Sequence, residues 1–460
     1  MGKEVFLKKR FLAFITIAIP LCFICIPVVY GQQLFQTVQI NSSPNPIGSG
    51  ARAQGMGGAF IAVADDATAA SWNPGGLMQL ERPEFSYVLS FAHRRKDFDS
   101  SSQPEASGMN EVYRDDLNYF SAAFPFRAFD KNMVVSLNYQ RLYDFYDELD
   151  FDFDYRGFMS DSSFFNVETH TRFRQTGSVK AFAPAFAIQI TPRLSFGFTL
   201  NFWTDDLGYD NEWKIKRETT GVGYIHTATS RLLTFRANSI YEEKNENFEG
   251  FNVNFGFLWH INSVVTLGAV FKTPFTADVD RKTYTYSTSF PVGTPPIQPT
   301  PFRSRESIEI KFPMSYGIGL AFRLSDALTV ACDVYRTDWS EFWVKGKGGS
   351  TSPISGKRRS EAHGHDTTQV RLGGEYLFIL EKTLVPLRLG VFYDPEPSEK
   401  NPEDYFGVSI GTGIMIGNIV LDCCYIYRWG RDVQGDVVGV PKTSADVDQH
   451  KFYLSMIYHF

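Results

Sequence analysis

The sequence predicts an all-β protein: a transmembrane antiparallel β-barrel of about fourteen strands with an N-terminal hatch, or plug, in its lumen. Three observations carry this. Apolar and polar residues alternate through most of the chain after residue 83. The alternating runs are joined by very short turns at one end and long polar stretches at the other. Aromatics, dominated by Phe and Tyr, make up 15% of residues. Period-two alternation gives a strand one apolar and one mixed face. An apolar face toward lipid, a mixed interior, aromatic girdles and unequal loops together describe an outer-membrane barrel. After residue 31 no apolar run reaches the length of a transmembrane helix.

Residues 1–31 read as a secretory signal peptide. Lys8, Lys9 and Arg10 precede an apolar run over 11–29, and Val29 and Gly31 sit at the −3 and −1 positions of a cleavage site before Gln32. A retained membrane anchor is the alternative, against which the prolines in the run argue. Cys25 follows Phe23-Ile24 and so lacks the small residues of a lipoprotein site. Removing this segment takes away four basic residues and one acid and moves the net charge from −6 to −9. An acidic exported chain is not a nucleic-acid binder by default. Cys332, Cys423 and Cys424 remain, an odd count whose last two members point to opposite faces of a strand, so no structural disulfide is expected.

Residues 32–82 cannot form a long strand and precede the first one. Asp65 or Asp66 is placed to cap a short helix through Ala70. The residue before a proline is pushed away from α geometry, so this helix should stop near Asn73, and Gly75 and Gly76 then permit a sharp turn. Upstream, GSGARAQGMGGAF (48–60) lacks the spacing of a dinucleotide loop, and its glycines suit close packing of backbone inside a barrel. A fourteen-stranded barrel encloses a lumen that backbone alone cannot fill, which makes this segment the natural plug.

Residues 83–460 supply the barrel. The expected strands span 84–92, 115–124, 133–144, 176–190, 194–204, 249–260, 264–273, 307–323, 328–339, 366–380, 384–393, 404–416, 418–430 and 448–460, with twelve or sixteen as open counts because 205–248 has room for another hairpin. An even number returns the C-terminus to the side of the short turns. In the last strand Phe452, Leu454, Met456, Tyr458 and Phe460 share one face. A terminal Phe460 with Tyr458 two residues before it resembles the signal read by the barrel assembly machinery.

Alternation turns Asp333, Arg371, Glu375, Arg388, Asp422 and Arg428 into the lumen. Such charges commonly pair with each other and stiffen a barrel; alternatively Arg371, Arg388 or Arg428 holds an anionic head group such as a carboxylate. Trp203, Leu258, Tyr335, Trp339 and Ile426 are apolar at inward positions, where they either line a greasy path or pack on the plug.

ADDATAASWNPGGL (64–77) resembles the N-terminal Asn-Pro-Ala signature of the FadL/TodX family of outer-membrane transporters for long-chain fatty acids and hydrocarbons, with Gly75 in place of the alanine. LGAVFKTPF (267–275), the hairpin 312–342 closing on Asp-Trp-Ser, and VPLRLGVFYDPEP (385–397) resemble further segments of that family in the same order. The resemblance implies a fourteen-stranded barrel in the bacterial outer membrane with a hatch gated at Asn73, Pro74, Gly75 and Gly76. It implies passive uptake of a hydrophobic small molecule, captured at the extracellular loops and released through a gap near the third strand. The third expected strand contains no Gly or Pro to mark a kink there. The partners expected are that ligand, outer-membrane lipid and the assembly machinery, with the protein a monomer free of cofactor. Residues 50–77 also resemble the N-terminus of barrels that serve type IX secretion as shuttles, a non-transporting alternative. An enzyme is disfavoured: His363 and His365 form the densest histidine cluster, sit in an expected loop, and bring no third or fourth metal ligand.

Overall fold

Alternation builds the wall. The computed structural model describes residues 48–158, 163–226, 232–296, 299–381, 383–399, 401–434 and 443–460. The expected signal peptide and residues 32–47 lie outside the described residues. One antiparallel sheet of twenty-one strand segments runs β1 (Glu84–Ser100), β2 (Gly108–Ala128), β3 (Lys131–Asp144), β4 (Asp147–Phe158), β5 (Phe164–Phe182), β6 (Ala185–Thr191) and β7 (Leu194–Trp203). It continues with β8 (Glu212–His226), β9 (Leu232–His260), β10 (Val265–Lys272), β11 (Phe275–Pro291), β12 (Phe302–Phe312), β13 (Ser315–Arg323) and β14 (Leu328–Thr337). It ends with β15 (Trp343–Gly346), β16 (Gly349–Thr351), β17 (Thr367–Ile379), β18 (Leu384–Tyr393), β19 (Tyr405–Ile416), β20 (Ile419–Gln434) and β21 (Thr443–His459). β1 pairs with β2 on one side and β21 on the other, so the sheet closes on itself. Closure removes the free edges that an open sheet must protect.

Each expected strand span falls on strand, but the count of about fourteen is too low for the segments formed. Two prolines divide expected strands: Pro184 separates β5 from β6, and Pro313 separates β12 from β13. Proline has no N–H to give to a ladder. Three polar stretches read as loops are hairpins that extend the wall: β4–β5, β8–β9 and β11–β12. Their outward positions carry cross-strand ion pairs such as Arg174–Glu148 and Arg305–Asp280, so charge rather than apolarity marks their alternation.

The outer surface is apolar. Val370 and Leu372 on β17, Leu389 and Val391 on β18, and Val408 and Ile410 on β19 lie side by side with 41–56% of their area exposed. A band of this kind fits hydrocarbon, not water. No described helix is long and apolar enough to cross a membrane. Tyr458 and Phe460 stand on this outer face, and the Phe460 N–H donates to Pro83 O at 3.0 Å, fastening the C-terminus beside the start of β1.

Residues 48–80 lie inside the ring. They fold as two short helices, Ala51–Gly55 and Ala69–Trp72, and a 3-10 turn, Pro74–Gln79. The second helix is capped differently from expectation. Thr68 is its first flanking residue, while Asp66 accepts from the Thr68 N–H at 2.8 Å and from its hydroxyl at 2.5 Å. The helix starts later and runs to Trp72 because this turn around Asp66 comes first.

Candidate functional site

The interior divides at the N-terminal segment. Below it, toward the short turns, wall and segment meet backbone to backbone. Three cross-strand glycine pairs make this contact: Gly197–Gly256, Gly268–Gly319 and Gly373–Gly390. A Cβ on Gly197 or Gly256 would strike Pro74, one on Gly268 would strike Ile61, and one on Gly373 or Gly390 would strike Met56 or Gly57. Gly57 itself adopts φ +67°, where a Cβ is disfavoured. Gly75 and Gly76 have no positive φ. They lie in the turn Pro74–Gln79, as expected, but what requires their smallness is contact: Gly75 approaches Gly256 and Gly76 approaches Ala64.

Polar side chains of the wall satisfy the segment's main chain. The Asp333 carboxylate accepts the N–H groups of Phe60 and Ile61 at 2.7 and 2.9 Å. Ser409 Oγ accepts from Gly57 N and donates to Gly55 O. Thr199 donates to Ala70 O, Ser195 to Gly75 O, and Tyr119 to Ala67 O. Asn73, fully buried, donates to Ile61 O at 2.8 Å and to Phe257 O of β9 at 2.9 Å, while its Oδ1 accepts from Gly75 N. Buried main-chain groups need such partners. Asn73 thus ties two parts of the segment to the wall at once.

Above the segment, side chains become large. Trp203 stacks on Phe275 with ring centroids 5.3 Å apart, Phe275 stacks on Phe312 at 4.7 Å, and Tyr143 lies within 5.7 Å of Trp203. Trp339 packs edge-on to Phe342. A cavity of about 40 Å³ lies among Leu142, Tyr143, Trp203, Phe275 and Trp339 on one side and the polar Asn252, Asn254, Lys272, Ser315 and Thr337 on the other. On the other face of Leu142 is a second, polar chamber of about 80 Å³, bordered by Arg141, Arg371, Arg428 and Lys451.

The expected site residues separate accordingly. Trp203 and Trp339 share the aromatic cavity. Tyr335 packs on the N-terminal segment, and its hydroxyl pairs with Ser315 at 2.8 Å. Ile426 borders the polar chamber, and Leu258 is buried but lines none of the described cavities. All three arginines are paired. Arg371 bonds Gly57 O and Asp394; Arg428 bonds Asp394 and Glu396; Arg388 lies between Glu375 and Asp422 at 2.6 Å from each. Arg371 and Arg428 face the chamber, whereas Arg388 joins Arg52 in gripping Glu375. Sequence reasoning passed over Phe275 and Tyr143 as lining. Phe275 follows Pro274 and its stretch read as the start of a loop; Tyr143 sits at the end of β3, where the period is lost.

The wall changes partner at several breaks, as where β9 passes from β8 to β7, and one of them lies beside β3. β3 pairs with β6 over Met133–Ser136 and with β5 from Tyr139 onward, on either side of the break at Ala183-Pro184. Asn138 bridges the break by donating to Ala183 O at 2.6 Å and accepting from Tyr119 Oη at 2.7 Å.

Residues 45–439 match the family model described as outer membrane protein transport protein (OMPP1/FadL/TodX). No curated protein sequence matches the chain. Among solved structures, a Pseudomonas aeruginosa FadL homologue superposes with a TM-score of 0.54 at 12% identity, over 90% of this chain and 98% of that one. The Pseudomonas putida toluene transporter TodX gives 0.53 at 13% identity, over 92% and 100%. At this identity the likeness is one of fold.

Proposed function

Because the chain belongs to the OMPP1/FadL/TodX family of outer membrane transport proteins, we propose that it is a passive channel carrying long-chain fatty acids or other hydrophobic small molecules across the bacterial outer membrane. The observation that carries this reading is the cluster of Trp203, Phe275, Trp339 and Tyr143 around a small cavity in the lumen, beside the polar Asn252, Asn254 and Lys272. A hydrophilic pore has no use for stacked indole and phenyl rings at its centre, whereas a greasy solute gains by leaving water for them.

In this reading the long loops face the outside and capture the ligand, and the cavity holds it. Residues 32–82 are the hatch. Asn73, Pro74, Gly75 and Gly76 fix it against the Gly197–Gly256 window, which makes them the gate. Arg371 and Arg428 are the arginines placed to meet an anionic head group, since both border open space. Release occurs at the break beside Asn138, where Pro184 interrupts the strand and the Asn138 side chain bonds Ala183 O beside the main-chain bond from Ala183 N–H to Asn138 O. Tyr458 and Phe460 present the assembly signal on the outer face. The membership of the family, a family of transport proteins, supports a non-enzymatic role. The test is uptake of labelled oleate and of an alkylbenzene by cells with and without the protein; equal uptake in both sinks the reading.

A further inference from the structure

A third space opens on the other side of the N-terminal segment, at the short-turn end of the barrel. Its volume is about 750 Å³, several times that of either cavity above. That lies within the range of sites that hold a small organic molecule, roughly 300–1,000 Å³. The turn Pro74–Gln79 forms its roof: Met78 and Gln79 line it, and Ser195, which donates to Gly75 O at 2.8 Å, lies in its wall. The space thus adjoins the contact between Gly75 and Gly256. One part of the lining is apolar, with Met78, Leu80, Phe126, Met133 and Leu194. An alkyl chain gains free energy with each methylene it buries on such a surface, and methionine side chains adapt to its shape. Another part carries Arg82 and Arg193. Both are exposed, and neither forms an ion pair among the described residues. Arg193 Nη1 makes one long bond, 3.5 Å, to Ile261 O. Charged neighbours are already engaged: Glu84 with the Ala67 N–H and His459, Lys131 with Ile190 O, and Arg127 with Asp130. Glu81 is the lining's one carboxylate. Guanidinium groups open to a ligand beside an apolar surface match an anionic head on an alkyl chain.

We propose that this vestibule binds a single-chain anionic amphiphile, its alkyl chain against Met78, Met133 and Leu194 and its carboxylate or phosphate on Arg82 and Arg193. The lining supplies the ligand class. The vestibule's place in uptake, as a stop on the periplasmic side of the hatch, rests on the transport reading. Binding is read apart from uptake, so cells that show no uptake sink that reading and leave the site standing.

The test uses the full protein, crystallised from an uncharged detergent and soaked in dodecanoate brominated at its terminal carbon. An anomalous bromine peak should appear in the vestibule against Met78 and Met133, whatever the upper cavities hold. In the double variant Arg82→Gln with Arg193→Gln, both at exposed positions, the vestibule peak should disappear. The equally brominated dodecanol, which carries no charge, should give the same peak in both proteins. Lysophosphatidylglycerol as competitor then separates the sources: persistence of the dodecanoate peak assigns the site to a fatty carboxylate, and its loss assigns it to a membrane lipid. Absence of the peak from the wild-type vestibule overturns the site. A dodecanoate peak that survives in the double variant, or a dodecanol peak lost with it, overturns the role of the two guanidinium groups.

Discussion

On the short-turn side of the lumen, glycine faces glycine across neighbouring strands, and the N-terminal segment lies against bare backbone. On the long-loop side, tryptophan faces phenylalanine and arginine faces aspartate, with cavities between them. The same alternation of strands supports both. What differs is the volume at inward positions: it vanishes where a second chain segment must fit and grows where a small molecule or ion has room. The lower half is therefore a lock between two parts of one chain, and the upper half is a lined space.

The largest way to break this contrast is to give the lower half a side chain. Gly390→Val places methyl groups where the Gly57 backbone lies. Overpacking of that kind should cost about 3 kcal/mol or more, because backbone cannot step aside as a flexible side chain does. The measurement is the unfolding midpoint in denaturant, with the outward neighbour Val391→Ile as control. Equal midpoints for both variants would show that the segment does not press on the wall.

Asn73→Ala comes next. It removes the donors to Ile61 O and Phe257 O and the acceptor for Gly75 N, all in a buried setting. Leaving such groups unmatched should cost about 2 kcal/mol. Hydrogen exchange in residues 48–80 should accelerate while exchange in the strands of the wall does not. If both stay as in the wild type, the Asn-Pro stretch is a linker and not a fastening.

For the upper half, Trp203→Ala opens the stacked pair with Phe275. Loss of that ring should weaken binding of an apolar ligand by about 1.5 kcal/mol, roughly tenfold. Fluorescence titration with a hydrophobic probe reads this directly. A variant that binds as well as wild type would move the ligand path elsewhere in the lumen.

How far the sequence disclosed these halves follows from the same physics. Strand positions and facing were legible because a period of two survives in residues such as Val385 to Tyr393 whatever surrounds them. The inward placement of Arg371, Arg388 and Arg428 followed from it, and all three are buried. The pairing of Arg388 with Glu375 and Asp422, which alternation also turns inward, was within its reach, whereas that of Arg371 and Arg428 was not, since Asp394 and Glu396 lie beyond the end of β18. The glycine windows left a trace in the sequence, glycines at inward strand positions, but their register across strands belongs to pairing and not to any one strand. The extra hairpins were hidden because their outward faces are charged, as at Arg174 and Glu148, and so resemble loop.

The smallest effect sharpens what it means for the lower half to be a lock. Asp66 is buried, and burial first of all raises its carboxyl above the usual carboxylate range, against the lowering pull of Arg52 and of the hydrogen bonds from Thr68. An acid whose value is higher in the folded state binds more protons there than when unfolded. Stability then falls as pH rises from the ordinary carboxylate value, about 4, through the raised one. Protection of residues 48–80 against hydrogen exchange, corrected for the intrinsic rate, should therefore decline over that interval. In Asp66→Asn, whose amide oxygen still accepts both bonds from Thr68, the decline should flatten. A wild-type protection that instead climbs with pH would mean that Arg52 outweighs burial at Asp66. The segment would then be held by charge as the upper half is, and the contrast between the two halves would be one of volume alone.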